Sequence, residues 1–285
     1  MVAYNPEHRF DVEVFDVDYL QHDSRVFAAR IYQPDGSGPF PTVLDVHGGQ
    51  WHLNDRTGNH RVDRDLAASG VLVVALDFRM APGHAYPAAI QDVHYGIRWW
   101  KTTAAQYGGA PTTLGLFGSS SGGHIVELIG MQPHHAAYGA LPFDAAPQTD
   151  AVVSYVITRA PISDPLARYG FAEKTGRDDV LLATKNFFQP WETIRVGNPQ
   201  LILERHDFEM LPPLLIIQGS ADENIDWQIQ RHFADTYRTV GGEAQFELFE
   251  GMEHQFIQRD CPEATQAIAV VQRFIAAQLN GLATV

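Results

Sequence analysis

The sequence predicts an α/β fold, a mostly parallel central sheet with an antiparallel N-terminal edge. Three observations carry that expectation. Short, nearly continuous apolar runs recur along the chain, segments of helical periodicity lie between them, and the two earliest strand-like segments alternate with period two. In chain order, "DVEVFDVD" (11–18) alternates as a half-exposed antiparallel strand does, and "SRVFAARIYQP" (24–34) is its expected partner. "TVLDV" (42–46), "VLVVALD" (71–77), "TLGLF" (113–117), "AVVSYVI" (151–157) and "LLIIQ" (214–218) have the run character of strands buried on both faces. "QFELFE" (245–250) is the last strand. Helical periodicity falls at 59–69, 88–106, 122–131, 226–240 and 263–279, with Gly241-Gly242 as a stop for the penultimate helix.

Residues 163–212 break the rhythm. They hold several short helical patterns and no convincing strand. An excursion of that length between two sheet strands is expected to be a lid or cap. Without a repeat or an inter-domain linker, 1–285 is expected to form one domain with 163–212 inserted in it.

The 285 residues are 45% hydrophobic and 19% charged, which fits a globular domain with a sizeable core. Twenty basic against 34 acidic residues give a net charge of −14, which repels phosphate backbones and anionic membranes and argues against a nucleic-acid partner. No apolar stretch approaches the roughly 18 residues of a membrane span, and the first residues lack a signal-peptide pattern. The single cysteine, Cys261, forms no intrachain disulfide, so a cytoplasmic location is expected by default. The sequence leaves a homodimer open.

"LFGSSSGGH" (116–124) sits between an expected strand and an expected helix, the setting of a nucleophile elbow, G-x-S-x-G. Small residues two before and two after the serine let the backbone turn sharply. Only Ser120 has glycine at both places, Gly118 and Gly122. Gly/Ser-rich turns are common, so the stretch needs partners elsewhere. Ser121 follows the nucleophile and would offer its backbone N–H to an oxyanion. Strand 42–46 runs into "HGGQW" (47–51), whose Gly48 and Gly49 are the other candidate oxyanion donors. The chain order Ser…Asp/Glu…His requires an acid and a base downstream. Strand 214–218 ends in "GSADENID", where Asp222 is the candidate acid. Asp226 reads better as a helix N-cap and Glu223 as surface. Of the histidines after it, His232 falls inside a helix, and His254, just past the last strand, is the candidate base. Trp51, Phe187, Phe188 and Trp191 are candidate substrate-binding residues, and their number suggests an apolar substrate face. His134-His135 lacks a spaced ligand set, so neither a metal nor an organic cofactor is expected.

Together with "HGGQW", "GSSSGGH", "GSADE" and "GMEHQF", the segment "LDFRMAPGHAYPAAIQDVHYGIRWW" (76–100) resembles the α/β-hydrolase superfamily and, within it, the hormone-sensitive-lipase-like esterases. The segment is similar to that family's Tyr-Arg-Leu-Ala-Pro-Glu-His motif followed by Pro-Ala-Ala and an acidic residue, here Asp92. The resemblance covers most of 40–280. It departs at Gln50, which replaces the third glycine of His-Gly-Gly-Gly, and at Gly83, which stands where glutamate is usual. "HGGxW" is closer to kynurenine formamidase-like and small acetyl- or feruloyl-esterase-like relatives. The N-terminal cap helices of the lipase-like branch are not expected, since strands begin near residue 11. The resemblance implies an α/β-hydrolase fold and a serine hydrolase of small or apolar carboxylic esters, with Ser120, His254 and Asp222 as its triad. An amidase or formamidase acting on an N-acyl aromatic amine is the alternative with the same triad. A non-catalytic small-molecule receptor is the alternative of another class.

Overall fold

The computed structural model describes residue 2, residues 4–22 and residues 24–282. Among these residues, eight strands form one sheet: β1 (Val12–His22), β2 (Arg25–Pro34), β3 (Phe40–Val46), β4 (Leu72–Leu76), β5 (Gly109–Ser119), β6 (Val156–Arg159), β7 (Leu214–Gly219) and β8 (Ala244–Phe249). Their order across the sheet is β1-β2-β4-β3-β5-β6-β7-β8. The β1–β2 and β2–β4 pairs are antiparallel. Every pair from β4 through β8 is parallel. This is the expected mostly parallel sheet with an antiparallel edge.

Among the described residues, eight α-helices surround it: α1 (His60–Ala68), α2 (Ala88–Thr103), α3 (Ser121–Met131), α4 (Pro165–Thr175), α5 (Asp178–Phe187), α6 (Pro199–Arg205), α7 (Trp227–Thr239) and α8 (Pro262–Leu282). The central strands are buried on both faces because alternate side chains enter two separate cores. Leu44, Val74, Leu116 and Ile216 pack under α2, α3 and α7 on one face. Val43, Val73, Phe117 and Ile217 pack with α1 and α8 on the other. β8, at the edge, is half-exposed.

β6 differs from the apolar run that marked it. The run begins at residue 151, yet the strand begins at Val156. Ser154 and Tyr155 already bond to β5, through Ser154 N–H to Leu114 O and Leu116 N–H to Tyr155 O. The neighbour on the other side starts only at Leu214, opposite Val156. The ladder then runs past the apolar stretch through Thr158 and Arg159.

Between β6 and β7 the chain forms α4, α5, a 3-10 turn (Trp191–Arg195) and α6, and no strand. Asp164 caps α4 and Asn198 caps α6, each followed by proline at the first helical position. Asn198 Nδ2 also donates to Asp164 Oδ1 at 2.9 Å, joining the two helix starts. Among the described residues no helix is long and apolar enough to cross a membrane.

Candidate active site

β5 ends at Ser119 and α3 begins at Ser121, so Ser120 alone makes the turn, with φ 53 and ψ −115. A non-glycine residue adopts such a backbone only where its surroundings impose it. Here Ser120 N–H donates to Arg159 O at 2.8 Å, and Ser120 O accepts from Ile162 N–H at 3.2 Å. The flanking glycines are required by contact. A Cβ on Gly122 would lie 2.0 Å from Val46 O, and one on Gly118 would lie 2.6 Å from Gly122 O.

Loops after β7 and β8 bring the partners. Ser120 Oγ lies 3.1 Å from His254 Nε2. His254 Nδ1 lies 2.7 Å from Asp222 Oδ2. Asp222 is itself held by Gln218 Nε2 at 2.9 Å and by the N–H groups of Asn224 and Ile225 at 2.8 and 3.0 Å. Burial works to raise the Asp222 carboxyl, but the hydrogen bond and charge of His254, with the Asn224 and Gln218 donors, outweigh it and keep the group below its ordinary value. Burial pushes the His254 imidazole down; Asp222 opposes this, and the charges of Arg159 and Arg168 add to the lowering. A neutral imidazole with Nδ1–H on the carboxylate leaves Nε2 free to accept a proton from Ser120. Asp226 caps α7 through Gln228 N–H, and His232 lies on α7 beside Gln200, so neither belongs to this chain of bonds.

The 47–51 loop lies against the elbow. A Cβ on Gly48 would meet Ser119 O at 2.9 Å and Ser120 Cβ at 3.1 Å. Gly49 has φ +121, and a Cβ there would lie 2.2 Å from Leu53 O. Among the described residues, no loop or turn carbonyl takes the N–H of Gly48, Gly49 or Ser121. Ser121 stands at the first position of α3, where N–H groups have no intrahelical acceptor.

Ser120, His254, Gly48 and Gly49 line a cavity of about 160 Å³ together with Gln50, Asn54, Asn59, Arg159, Arg168 and Asn224. The four expected substrate-binding aromatics are not part of that lining. Trp51, Phe187 and Phe188 are fully buried, with Trp51 stacked on Phe187 at 4.6 Å. Trp51 Nε1 donates to His124 Nδ1 at 3.2 Å, and His124 Nε2 donates to Gly197 O at 2.7 Å. These rings therefore fasten the 47–51 loop to the segment between β6 and β7. Trp191 is partly exposed and packs against Tyr169. The cavity wall is polar, in contrast to the apolar face expected from the aromatic count.

Several residues of the site carried no sequence signal. Ser119 Oγ donates to Asn59 Oδ1 at 2.9 Å, and Asn59 Nδ2 donates to the buried Asp45 at 2.8 Å. Ser119 thus ties the elbow to the residue before α1. Arg159 Nη1 donates to the carbonyl of His254 at 2.5 Å and so holds that residue's backbone. Arg168, from α4, reaches the cavity across the sheet's end. Among the described residues, no group of three or more His, Cys, Asp or Glu side chains could hold a metal ion.

The family model BD-FAE matches residues 30–236. Esterase LipC of Mycobacterium tuberculosis (strain ATCC 25618 / H37Rv) is 27% identical over 212 residues, covering 71% of this chain and 49% of LipC. The chain spans about half the length of the curated relatives it matches. Among solved structures, the carboxylesterase EstE1, cloned from a metagenomic library, superposes with a TM-score of 0.77 at 21% identity over 95% of this chain and 91% of EstE1. Thermogutta terrifontis esterase 2 superposes with a TM-score of 0.75 at 21% identity over 93% of this chain and 94% of that one. The fold is that of an α/β-hydrolase.

Proposed function

The chain belongs to the BD-FAE family, and from that premise we propose that it is a carboxylic ester hydrolase working through Ser120, His254 and Asp222. The observation that carries the proposal is the unbroken hydrogen-bond chain from Ser120 Oγ through His254 to Asp222 Oδ2. Esterases among its relatives and structural neighbours support the bond type.

In this reading Ser120 Oγ attacks the ester carbonyl carbon while His254 Nε2 takes its proton. Asp222 holds the imidazole tautomer and stabilises the imidazolium. The carbonyl oxygen becomes an oxyanion facing the N–H groups of Gly48, Gly49 and Ser121, each worth about 3 kcal/mol in a comparable site. The His254 proton passes to the departing alkoxide, leaving an acyl-enzyme on Ser120. Water, deprotonated by His254, then attacks that ester and frees the acid and the serine.

The lid role of 163–212, within one domain, belongs to the same proposal. Its support is that Arg168 stands in the cavity wall and that Gln50 Nε2 approaches Asp179 Oδ2 at 3.5 Å.

A fluorophosphonate probe tests the assignment, because it labels only a serine activated in this way. Labelling of the native protein and none after Ser120→Ala is the expected result. Equal labelling of both proteins, or hydrolysis of p-nitrophenyl acetate that survives Ser120→Ala, would overturn it. Faster cleavage of an N-formyl anilide than of p-nitrophenyl acetate would move the assignment to an amidase.

A further inference from the structure

Resting on the hydrolase reading above, we propose that the substrate carries a carboxylate close to the scissile ester, and that Arg168 is the residue that binds it. The observation is a buried cation with N–H groups left unsatisfied. Arg168 is 1% exposed and lines the cavity that holds Ser120 and His254. Its Nε and Nη1 have no hydrogen-bond partner among the described residues. The contact its side chain does make is with the face of Trp51, 5.8 Å from the ring centroid, which fixes the guanidinium but satisfies none of its N–H groups.

A guanidinium buried with N–H groups unsatisfied is a costly arrangement; burial lowers its pKa to about 10, the charges of Asp222 and Asp179 oppose the lowering, and the group stays charged at neutrality. A second cation, Arg159, lines the same cavity, with its Nε also unpartnered. No aspartate or glutamate is in that lining. The nearby Asp222 already accepts from His254, Gln218 and two backbone N–H groups. The wall therefore presents two fixed positive charges and unused donors, which a planar anion matches and a neutral acyl chain does not. The cavity beside Ser120 has a volume of about 160 Å³, room for a short acid carrying the carboxylate, while the leaving group can extend toward solvent. Half-esters of short dicarboxylic acids combine the carboxylate, the scissile bond and that size.

The test compares methyl half-esters of malonic, succinic and glutaric acid with methyl esters of the corresponding half-amides, which match them in shape and lack the charge. At least one half-ester is expected to exceed its half-amide tenfold or more in kcat/KM. Arg168→Met should reduce that preference at least tenfold, mainly by raising KM for the half-ester, and Arg168→Lys should restore part of it. Because the native guanidinium is buried with N–H groups unsatisfied, Arg168→Met should melt at or above the native temperature. Absence of the preference in the native enzyme overturns the inference, as does an equal loss on both ester types in Arg168→Met. A lower melting temperature with the preference retained also overturns it, since that marks a structural arginine. Fluorophosphonate labelling of Ser120 separates the two levels. Labelling without the preference sinks this inference alone, and absence of labelling sinks the hydrolase reading with it.

Discussion

Ser120 sits at φ 53, in the half of backbone space where a residue with a Cβ is strained by about 1–3 kcal/mol. This backbone sets Oγ 3.1 Å from His254 Nε2, a cost to stability that the proposed nucleophilic role accounts for. Ser120→Ala keeps the Cβ and the strain; Ser120→Gly loses both, along with the nucleophile. Both variants should be inactive, and Ser120→Gly should be the more stable of the two by about 1 kcal/mol in urea unfolding. The proposed base, His254, has its own signature. His254 must be neutral to accept a proton, and burial places its pKa below the ordinary value of 6.5. The acid limb of kcat/KM is therefore expected below pH 6.5, with activity lost as pH falls through it. Asp222 is the group that raises that pKa. Asp222→Asn should shift the limb to lower pH while reducing kcat by about 10⁴. An unmoved limb would mean that Asp222 is not the imidazole's electrostatic partner. At this scale the sequence was legible where backbone geometry dictated residue type: glycine spacing singled out Ser120, and chain order singled out His254. It was silent on Ser119, Arg159 and Arg168, because their partners, Asn59, the His254 carbonyl and the cavity, lie far away in the chain.

Among elements, two buried contacts hold the site's surroundings in register. Arg79, just past β4, meets Asp92 on α2 through Nε and Nη2 at 2.7–3.0 Å, and its backbone N–H donates to the same carboxylate at 2.7 Å. Asp92 is 0% exposed. Arg79→Met would leave that carboxylate buried without its cation, and a loss of about 3–5 kcal/mol in urea unfolding is expected. Replacing both, Arg79→Met with Asp92→Leu, should recover most of it; an additive double variant would show that the pair is not the tie. The second contact joins the 47–51 loop to the segment ahead of α6 through His124, whose neutral form is needed to accept from Trp51. Burial lowers its pKa to about 4 against 6.5 in the unfolded chain. The unfolded chain then binds more protons as pH falls, so this stabilisation is complete above 6.5 and is lost on the way down to 4. His124→Gln keeps a donor and an acceptor but does not titrate. Between pH 7 and pH 4.5 the native protein should lose about 2 kcal/mol more stability than this variant. Elements were legible from the sequence to within a few residues wherever apolar runs and ladders coincide. β6 is offset from its apolar run because its ladder is set by β7 on one side and carried on by Thr158 and Arg159. The aromatics of the excursion anchor it instead of lining the cavity, a difference that composition does not encode.

The whole molecule places a cationic cavity inside a strongly acidic body. The chain carries a net charge of −14, whereas the cavity wall contributes Arg159 and Arg168 and no carboxylate. For a substrate with a carboxylate these act over different ranges. The arginines are buried, so salt screens their local attraction weakly. The acidic surface acts through solvent, and its repulsion shrinks as the Debye length falls from about 30 Å at 10 mM to about 8 Å at physiological ionic strength. Raising sodium chloride across that interval should increase kcat/KM for a dicarboxylic half-ester by about three- to fourfold. The neutral half-amide ester should not respond. Surface cations steering the substrate would give the opposite sign, a rate that falls with salt. The sign of the slope, measured on the native enzyme with both esters, therefore separates an anion that is drawn in by the surface from one that is repelled at the surface and recognised only at the bottom of the cavity.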